Sequence, residues 1–242
     1  MHIKVLAFGV LKERLGESAF PLEMPEGATV ADLLVRIAKG TECLRGIAIS
    51  VNAEYALPGD VLREGDEVGL LPPVSGGTGP NVGDTAGRAS VVHVELRRGP
   101  VESEALIRQA KDAEDGAVVV FDGIVRGNSR GRRTLHLDYE AYEEMAAAKL
   151  DALAHEARER FGVRNVTIVH RLGRLEIGET SVLIVVASAH RAQAYEASRF
   201  LIDTLKKTVP IWKKETFADG VVWADGEPFP EGVGIAEAEP GA

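Results

Sequence analysis

The amino-acid sequence predicts an α+β protein that is divided into two domains. The division is indicated by residues 72–90, a run of Pro, Gly, Ser, Thr, Asn and Asp whose central apolar residue is Val82. This composition suits an exposed flexible connector and no packed element. The shorter part before it shows strand patterns around one helix, and the longer part mixes strands and helices too irregularly for a doubly wound sheet. The expected domains are residues 1–77 and 91–242, with residues 78–90 as the linker.

Two strand-like segments and a helix open the first domain. Apolar and polar residues alternate in residues 2–8 and again in 19–24, which predicts an opening hairpin. Thr29 is a suitable N-cap for the helix that follows, and Gly40 is a suitable end. The helix is recognised by apolar residues at helical spacing, which are Val30, Leu33, Leu34 and Ile37.

Two further strands complete the first domain. Residues 47–51 and 67–73 are mainly apolar, and turn-forming residues separate them at Asn52-Ala53-Glu54 and at 63–66. The predicted order is strand, strand, helix, strand, strand. One helix laid across a small mixed sheet buries both apolar faces in a chain this short.

The second domain contains both strand and helix patterns. Two amphipathic helices are long, and Pro210 ends the second of them. The predicted strands are 91–96, 117–121, 135–142, 166–170 and 181–188, and the predicted helices lie within 101–111, from about 143 to 161, and from about 191 to 208.

Charge and hydropathy exclude several classes of protein. The chain has 28 Lys and Arg against 37 Asp and Glu, a formal net charge of −9, which argues against a general nucleic-acid binder. No apolar run approaches the roughly 18 residues of a membrane-spanning helix. The first fifteen residues lack the apolar core of a signal peptide. We therefore expect a cytoplasmic protein.

Cysteine and histidine usage gives no indication of a metal site. Cys43 is the only cysteine, which excludes an internal disulfide and a thiolate cluster, and a buried apolar role is expected for it. The six histidines are scattered. His155-Glu156 is followed by Glu159 where a zinc hydrolase would have its second histidine.

The first candidate functional segment is residues 72–77, with the sequence PPVSGG. Its two final glycines have no side chains beyond the backbone, so this strip is narrow enough to enter a tunnel and bring a carboxyl terminus into a closed site. The alternative is that the segment is only a linker.

The second candidate is the arginine-rich loop at residues 125–133. It holds Arg126, Arg130, Arg132 and Arg133 directly after a buried-looking strand. Arginine forks suit phosphate oxygens, which indicates a small phosphorylated substrate. The alternative is a solvated hairpin tip.

The third candidate is the segment from His190-Arg191 to the lysines around Pro210. Lys206 lies near the end of a helix and Lys213 follows the proline, so both ammonium groups are candidates for one cleft. Lysines beside arginines and apolar walls tend toward a lowered pKa, which suits proton transfer. The alternatives are surface lysines favoured by the helix dipole and a core histidine.

Both parts of the chain resemble molybdopterin synthase. The first 77 residues resemble its small subunit, a ubiquitin-like sulfur carrier, and residues from about 91 to 228 resemble its large, catalytic subunit. The small-subunit motifs are VLAFGVLKERLG (5–16), TVADLL (29–34), SVNAEYA (50–56) and LREGDEVGLLPPVSGG (62–77). The large-subunit motifs are FDGIVRGNSRG (121–131), LDYEAYEEMA (137–146), HRLGRLEIGETSV (170–182), AHRAQAYEASRFLID (189–203) and PIWKKE (210–215).

The resemblance implies a fold and a reaction. The implied fold is an N-terminal ubiquitin-like β-grasp domain joined to an α/β-hammerhead-type domain. In this family the small subunit's terminal glycine is adenylated by an activating enzyme and converted to a thiocarboxylate. Two successive sulfur transfers then build the dithiolene of molybdopterin from cyclic pyranopterin monophosphate.

The resemblance also assigns roles to residues of this chain. Gly77 is implied as the sulfur-bearing terminus, and Lys206 and Lys213 as the catalytic lysines. The implied substrate-binding residues are Ile124, Val125, Arg126, His190, Arg191, Lys214 and Glu215. No cofactor and no metal are implied for this step, and the large-subunit domains are expected to form a homodimer.

One departure from the family is that Thr78 follows Gly77. An internal glycine has no free carboxyl group to adenylate, so we expect a protease to cut the Gly77-Thr78 bond in the exposed connector. Two alternatives stay open: an uncut chain whose carrier domain only docks on the second domain as an inhibitor or stabiliser, and a carrier for another sulfur pathway.

Overall fold

The computed structural model describes residues 1–37, 46–73 and 91–224. Within these ranges the chain forms two units, one before and one after residues 74–90. The predicted domain limits at Gly77 and at residue 90 lie outside the described residues, as do Gly40 and Cys43. No helix in the described ranges is long and apolar enough to cross a membrane.

The N-terminal unit is a five-stranded mixed sheet with two helices. The strand order is β2-β1-β5-β3-β4, in which β1 and β5 are parallel and the other pairs are antiparallel. The elements are β1 (His2–Ala7), α1 (Val10–Leu15), β2 (Ala19–Glu23), α2 (Val30–Ile37), β3 (Ala48–Val51), β4 (Glu54–Ala56) and β5 (Glu67–Leu71).

Helix α2 begins at Val30, directly after its predicted N-cap residue Thr29. The Thr29 hydroxyl oxygen accepts a hydrogen bond from the Asp32 backbone N–H at 3.3 Å, and the Asp32 carboxylate accepts one from the Thr29 backbone N–H at 2.8 Å. This reciprocal pair satisfies two backbone groups at the helix start. Val30 and Leu33 are fully buried against the sheet, which confirms the predicted inward face.

Two elements of this unit are missing from the prediction. Helix α1 has only six residues and only Leu11 buried, so its apolar period is too short to recognise. Strand β4 has three residues and pairs with β3 through the predicted turn. The opening hairpin of β1 and β2 is confirmed, with α1 inserted between its strands.

The described part of the C-terminal unit has three helices and two sheets, in which every strand pair is antiparallel except β6–β10. One sheet has the order β6-β10-β12-β7 and the other β11-β9-β13-β14, with β8 paired to β9. The elements are β6 (Val92–Arg97), α3 (Ser103–Ala110), β7 (Ala117–Ile124), β8 (Asn128–Ser129), β9 (Arg132–Ala141), α4 (Glu143–Phe161), β10 (Asn165–Arg171), β11 (Gly173–Glu176), β12 (Thr180–Ser188), α5 (Arg191–Thr208), β13 (Ile211–Phe217) and β14 (Gly220–Trp223).

Strand β12 is covered on both faces. Ile184 and Val186 belong to the core that α4 and α5 form, whereas Leu183 and Val185 pack with Leu106 of α3. Because both faces are buried, the strand is a continuous apolar run. That pattern explains why its bounds are predicted almost correctly from sequence.

The second sheet is mostly missing from the prediction. Only β9 is among the predicted elements. Strand β13 carries two adjacent lysines after Pro210, and the prediction assigns no element there. Lys213 therefore lies in a regular strand, paired with β9 and β14.

Candidate active site

The centre of the candidate site is an ion pair on strand β13. Lys213 and Glu215 are two residues apart, so their side chains lie on the same face of the strand. The Lys213 Nζ is 2.6 Å from Glu215 Oε1, and the two side chains are 24% and 8% exposed. The second carboxylate oxygen, Glu215 Oε2, is buried and has no hydrogen-bond partner in the described part of the chain. The pair fixes an amine beside a buried negative charge.

Tyr139 lies next to this pair on the neighbouring strand. It is the register partner of Lys213 in the β9–β13 ladder, and Leu137 is the register partner of Glu215. Burial, and to a lesser degree the negative charge of Glu215, raises the pKa of the Tyr139 phenol, while a hydrogen bond with Ser181 opposes that shift. The phenol therefore stays protonated and neutral.

The buried ring of His170 packs against the ring of Tyr139. The rings of Tyr139 and His170 meet edge to face with centroids 5.1 Å apart. Burial lowers the pKa of His170 to about 4, although a hydrogen bond between its Nδ1 and the Arg171 carbonyl, 2.8 Å long, acts in the opposite direction. The imidazole is therefore neutral at pH 7 and is a structural support.

The predicted binding segment at residues 124–126 begins as strand β7 ends. Val125 is buried, while the Ile124 side chain is largely exposed and Arg126 is exposed. The Val125 N–H donates to the Glu179 carbonyl at 3.0 Å, and its carbonyl accepts from the Gly178 N–H at 2.9 Å. These two bonds fix the backbone at Val125. The exposed side chain of Arg126 therefore extends from a backbone segment whose position is fixed.

The arginine-rich loop is not uniformly free to bind an anion. Arg132 is paired with Asp219 at 2.7 Å, and its guanidinium carbon lies 3.9 Å from the Phe217 ring centroid. Arg130 lies in a turn with a positive φ of 51°. The structure thus assigns Arg132 a role in joining two parts of the second sheet.

Helix α5 separates two groups of predicted site residues. His190 is its N-cap and Arg191 its first residue, and both are exposed. Lys206 is exposed in the last turn. At 1.5 Å of rise per residue, Arg191 and Lys206 are about 22 Å apart along the helix axis. A single copy of the chain does not bring these two residues to one small substrate.

Lys214 lies apart from the lysine and glutamate pair. As the neighbour of Lys213 in a strand, it points to the opposite face of β13, and its Nζ is 5.2 Å from the Trp223 ring centroid. Gly77 lies outside the described residues. Within the described ranges, no group of three or more His, Cys, Asp or Glu side chains is placed to hold a metal ion.

Tyr139 and Ser181 are not among the site residues that the sequence predicts. Each is only one position within a predicted strand, 135–142 or 181–188. Their proximity to Lys213 and to the 124–126 segment depends on strand pairing between residues far apart in the chain. The local sequence contains no signal for that pairing.

Comparisons with known proteins agree with the two-unit architecture. The model of the ThiS family matches residues 5–77, and the model described as MoaE protein matches residues 96–208. These ranges correspond to the N-terminal β-grasp sheet and to the α/β unit that carries Lys206. Together the two matches confirm the predicted fold class.

Relatives with a known activity match the C-terminal unit. A molybdopterin synthase catalytic subunit from Halalkalibacterium halodurans is 43% identical over 144 residues, which cover 58% of this chain and 92% of the relative. The one from Bacillus subtilis is 43% identical over 129 residues, covering 53% of this chain and 82% of the relative. The crystal structure of molybdopterin synthase from Staphylococcus aureus is 42% identical with a TM-score of 0.51, covering 54% of this chain and 95% of that one. The chain therefore belongs to the molybdopterin synthase family, whose members act in molybdenum cofactor biosynthesis, and it unites the small- and large-subunit modules in one polypeptide.

Proposed function

We propose that this chain is a sulfurtransferase that builds the dithiolene of molybdopterin on cyclic pyranopterin monophosphate. Two sulfur atoms arrive in successive transfers from a thiocarboxylate at the terminal glycine of the carrier domain, residues 1–77. The observation that carries the proposal is the Lys213–Glu215 ion pair, because it holds an amine at a partly buried position in the large-subunit unit.

The electrostatics of the reaction explain the need for several cations. The thiocarboxylate and the cyclic phosphate are both anionic, so they repel each other in one pocket. Arg126, Arg191 and a protonated lysine offset this repulsion, and they do so more strongly where water is excluded. Ile124 and the exposed His190 complete the proposed binding surface, and the buried Val125 holds the backbone beneath it. Lys214, on the opposite face of β13, lies outside this surface.

We assign different tasks to the two lysines. Lys206 is exposed at the end of α5, where its amine is free to reach the reacting atoms, and it acts as the acid or base for attack by sulfur and loss of oxygen. Lys213 is held by Glu215 and helps to position the thiocarboxylate. A fixed amine suits positioning, and a mobile amine suits proton transfer.

The geometry of α5 supports the proposal that the large-subunit units form a homodimer. Arg191 and Lys206 are about 22 Å apart along one helix, so a substrate that needs both side chains takes them from two copies. Among the described residues, β7 is an edge strand of its sheet, and it exposes Val120 and Ile124. An apolar edge of this kind favours association with another chain.

Formation of the thiocarboxylate on the carrier domain requires two partner proteins and one cleavage of the chain. An adenylating enzyme and a sulfur donor are needed to convert the carrier's terminal carboxyl group into a thiocarboxylate. We further propose that a protease cuts between Gly77 and Thr78, since adenylation needs a free carboxyl group. The cut yields a carrier of residues 1–77 and a catalytic chain in equal amounts.

The test of the function is a reconstituted reaction with the full chain, an activating enzyme, a sulfur donor and cyclic pyranopterin monophosphate. Lys206→Ala should lower the turnover number by about a hundredfold, the usual size of a lost acid–base catalyst, and leave pterin affinity within about twofold. Lys111→Ala is the matched control, because Lys111 is also exposed at a helix end of the same unit. Equal losses of turnover and affinity in Lys206→Ala would contradict the assigned role. Absence of thiocarboxylate after incubation would favour a docking role for the carrier domain.

A further inference from the structure

Arg171 is a charged residue buried at the end of strand β10. Its side chain is only 7% exposed, and its Nη1 lies 3.0 Å from Oε1 of Glu179. Its Nη2 is 3.5 Å from the Arg174 carbonyl oxygen, and its Nε is buried without a hydrogen-bond partner among the described residues. A buried guanidinium group destabilises the fold unless an opposite charge accompanies it. Glu179 supplies that charge.

The same carboxylate closes the turn at residues 176–179, between β11 and β12. Glu179 Oε2 accepts a hydrogen bond from the Glu176 backbone N–H at 2.7 Å, and the Glu179 N–H donates to the Glu176 carbonyl at 3.1 Å. Gly178, with a φ of 87°, stands where a type II turn requires a positive φ. The bond from Glu176, and after it the bond from Arg171, lowers the pKa of the Glu179 carboxyl. The carboxylate is therefore charged at neutral pH, and it joins Arg171 to the turn.

This turn binds the backbone of the proposed substrate-binding segment. The Val125 N–H donates to the Glu179 carbonyl at 3.0 Å, and the Gly178 N–H donates to the Val125 carbonyl at 2.9 Å. Both backbone polar groups of Val125 are thus occupied by the turn that Glu179 closes. Arg126 is the next residue along the chain, so the position of its backbone depends on the turn.

We propose that Arg171 and Glu179 are positioning residues for pterin binding, and that their ion pair fixes the turn that holds Arg126 in place. Neither residue needs to touch the substrate. Arg171 anchors the carboxylate, the carboxylate closes the turn, and the turn binds Val125. A segment that is already ordered binds its ligand more tightly, because less conformational entropy is lost on binding. This inference rests on the proposed function, since it assigns a purpose to the support of one of its substrate-binding residues.

The experiment compares Glu179→Ala, Arg126→Ala and the double variant in the full chain. Glu176→Ala is the matched control, because the Glu176 carboxylate belongs to the same turn but pairs at 2.8 Å with Arg174, and both of these side chains are largely exposed. The readouts are kcat and KM for dithiolene formation from cyclic pyranopterin monophosphate, and the hydrogen exchange rates of the Val125 and Gly178 amides.

Glu179→Ala should raise KM about tenfold, the size of one weakened hydrogen bond to a charged group, and leave kcat within about twofold, because substrate binding is affected and the chemical step is not. In the Arg126→Ala background the same change should raise KM by less than about twofold, since Glu179 acts through Arg126. Exchange at the Val125 and Gly178 amides should quicken about tenfold in Glu179→Ala, because the turn opens more often. Glu176→Ala should match the wild-type chain in all of these readouts.

A second variant covers the case in which Glu179→Ala fails to fold because Arg171 is left without its counter-charge. Glu179→Gln keeps the length of the side chain and an oxygen acceptor for the Glu176 N–H, but it removes the charge. It should raise KM and quicken exchange in the same direction as Glu179→Ala, by a smaller factor.

The inference is overturned if KM and exchange in the Glu179 variants match the wild-type chain, or if Glu176→Ala has an equal effect. An equal rise of KM with and without the Arg126 side chain would also overturn it, because Glu179 would then act by another route. The proposed function fails separately, when the wild-type chain forms no dithiolene. In that case the exchange rates decide whether Glu179 holds the backbone beside Arg126.

Discussion

Single residues in the C-terminal unit are held in protonation states that their surroundings impose. His170 is kept neutral by burial, Tyr139 is kept protonated by burial and by Glu215, and Glu215 Oε1 lies 2.6 Å from Lys213 Nζ. A neutral ring, a neutral phenol and an ion pair thus lie side by side. Such differences between neighbours are typical of functional sites.

The lowered pKa of His170 predicts a loss of stability in acid. Its folded value is about 4 against an ordinary value of 6.5, so the unfolded chain binds a proton below pH 6.5 that the folded chain excludes. Stability therefore falls as the pH falls from about 6.5 towards 4. Between pH 7 and pH 5 the loss from this residue should be about 2 kcal/mol, measured by urea unfolding.

A pair of variants isolates this contribution. His170→Gln lacks the titrating group, so its stability should depend less on pH over the same range. His155→Gln, on the exposed side of α4, should keep the wild-type dependence. An equal loss in wild type and His170→Gln between pH 7 and pH 5 would show that other groups are responsible.

Secondary-structure elements differ in how much of their conformation is fixed locally. Helix α2 has its cap and its apolar face within a few residues, and its predicted start and inward face are confirmed. The β3–β4 hairpin turns through Asn52 and Ala53, both with positive φ, of 50° and 65°. Asn52 is braced by its side-chain bonds to Asp66 and to the Glu67 N–H, whereas an alanine in this conformation is strained.

Relief of that strain gives a prediction for the hairpin. Ala53→Gly should stabilise the N-terminal unit by roughly 0.5–1 kcal/mol, because the gain at positive φ exceeds the entropy cost of glycine in the unfolded chain. Ala31→Gly is the control of opposite sign, since Ala31 lies in the first turn of α2 and glycine there loses more conformational entropy on folding than alanine. Calorimetric unfolding of the full chain measures both. A lower unfolding temperature in Ala53→Gly would contradict the argument.

On the scale of the whole molecule, two modules that form one enzyme are joined in a single chain. The matches to the ThiS family and to the MoaE protein family occupy separate ranges of the sequence. One polypeptide guarantees equal amounts of both modules, but it places the carrier's Gly77 inside the chain. The proposed delivery of sulfur by a terminal thiocarboxylate therefore requires the proposed cut after Gly77.

Intact mass spectrometry tests this cut directly. Protein purified from cells that contain the activating enzyme should yield a fragment ending at Gly77, and sulfuration should raise its mass by the replacement of one oxygen with one sulfur. Gly83→Ala, further along the same connector, should leave the fragment unchanged. An uncut chain that forms the dithiolene would overturn the proposed cleavage.

Local periodicity and motifs determined the α+β class, the family and most elements of this protein. Helices α4 and α5 and strand β12 bury continuous or periodic apolar residues, and such patterns are visible within about ten to twenty residues. Gly77 and the roles of Lys206, Lys213 and the binding residues remain predictions.

Only the tertiary structure decided which of the site residues are neighbours. Lys213 lies beside Tyr139 because of the β9–β13 register, and Ser181 reaches Gly123 because of a bulge. The tertiary structure also placed Lys214 on the face of β13 opposite to Lys213. The physical reason is that strand register and bulges arise from pairing between distant segments, and a one-residue shift reverses the face on which every side chain lies.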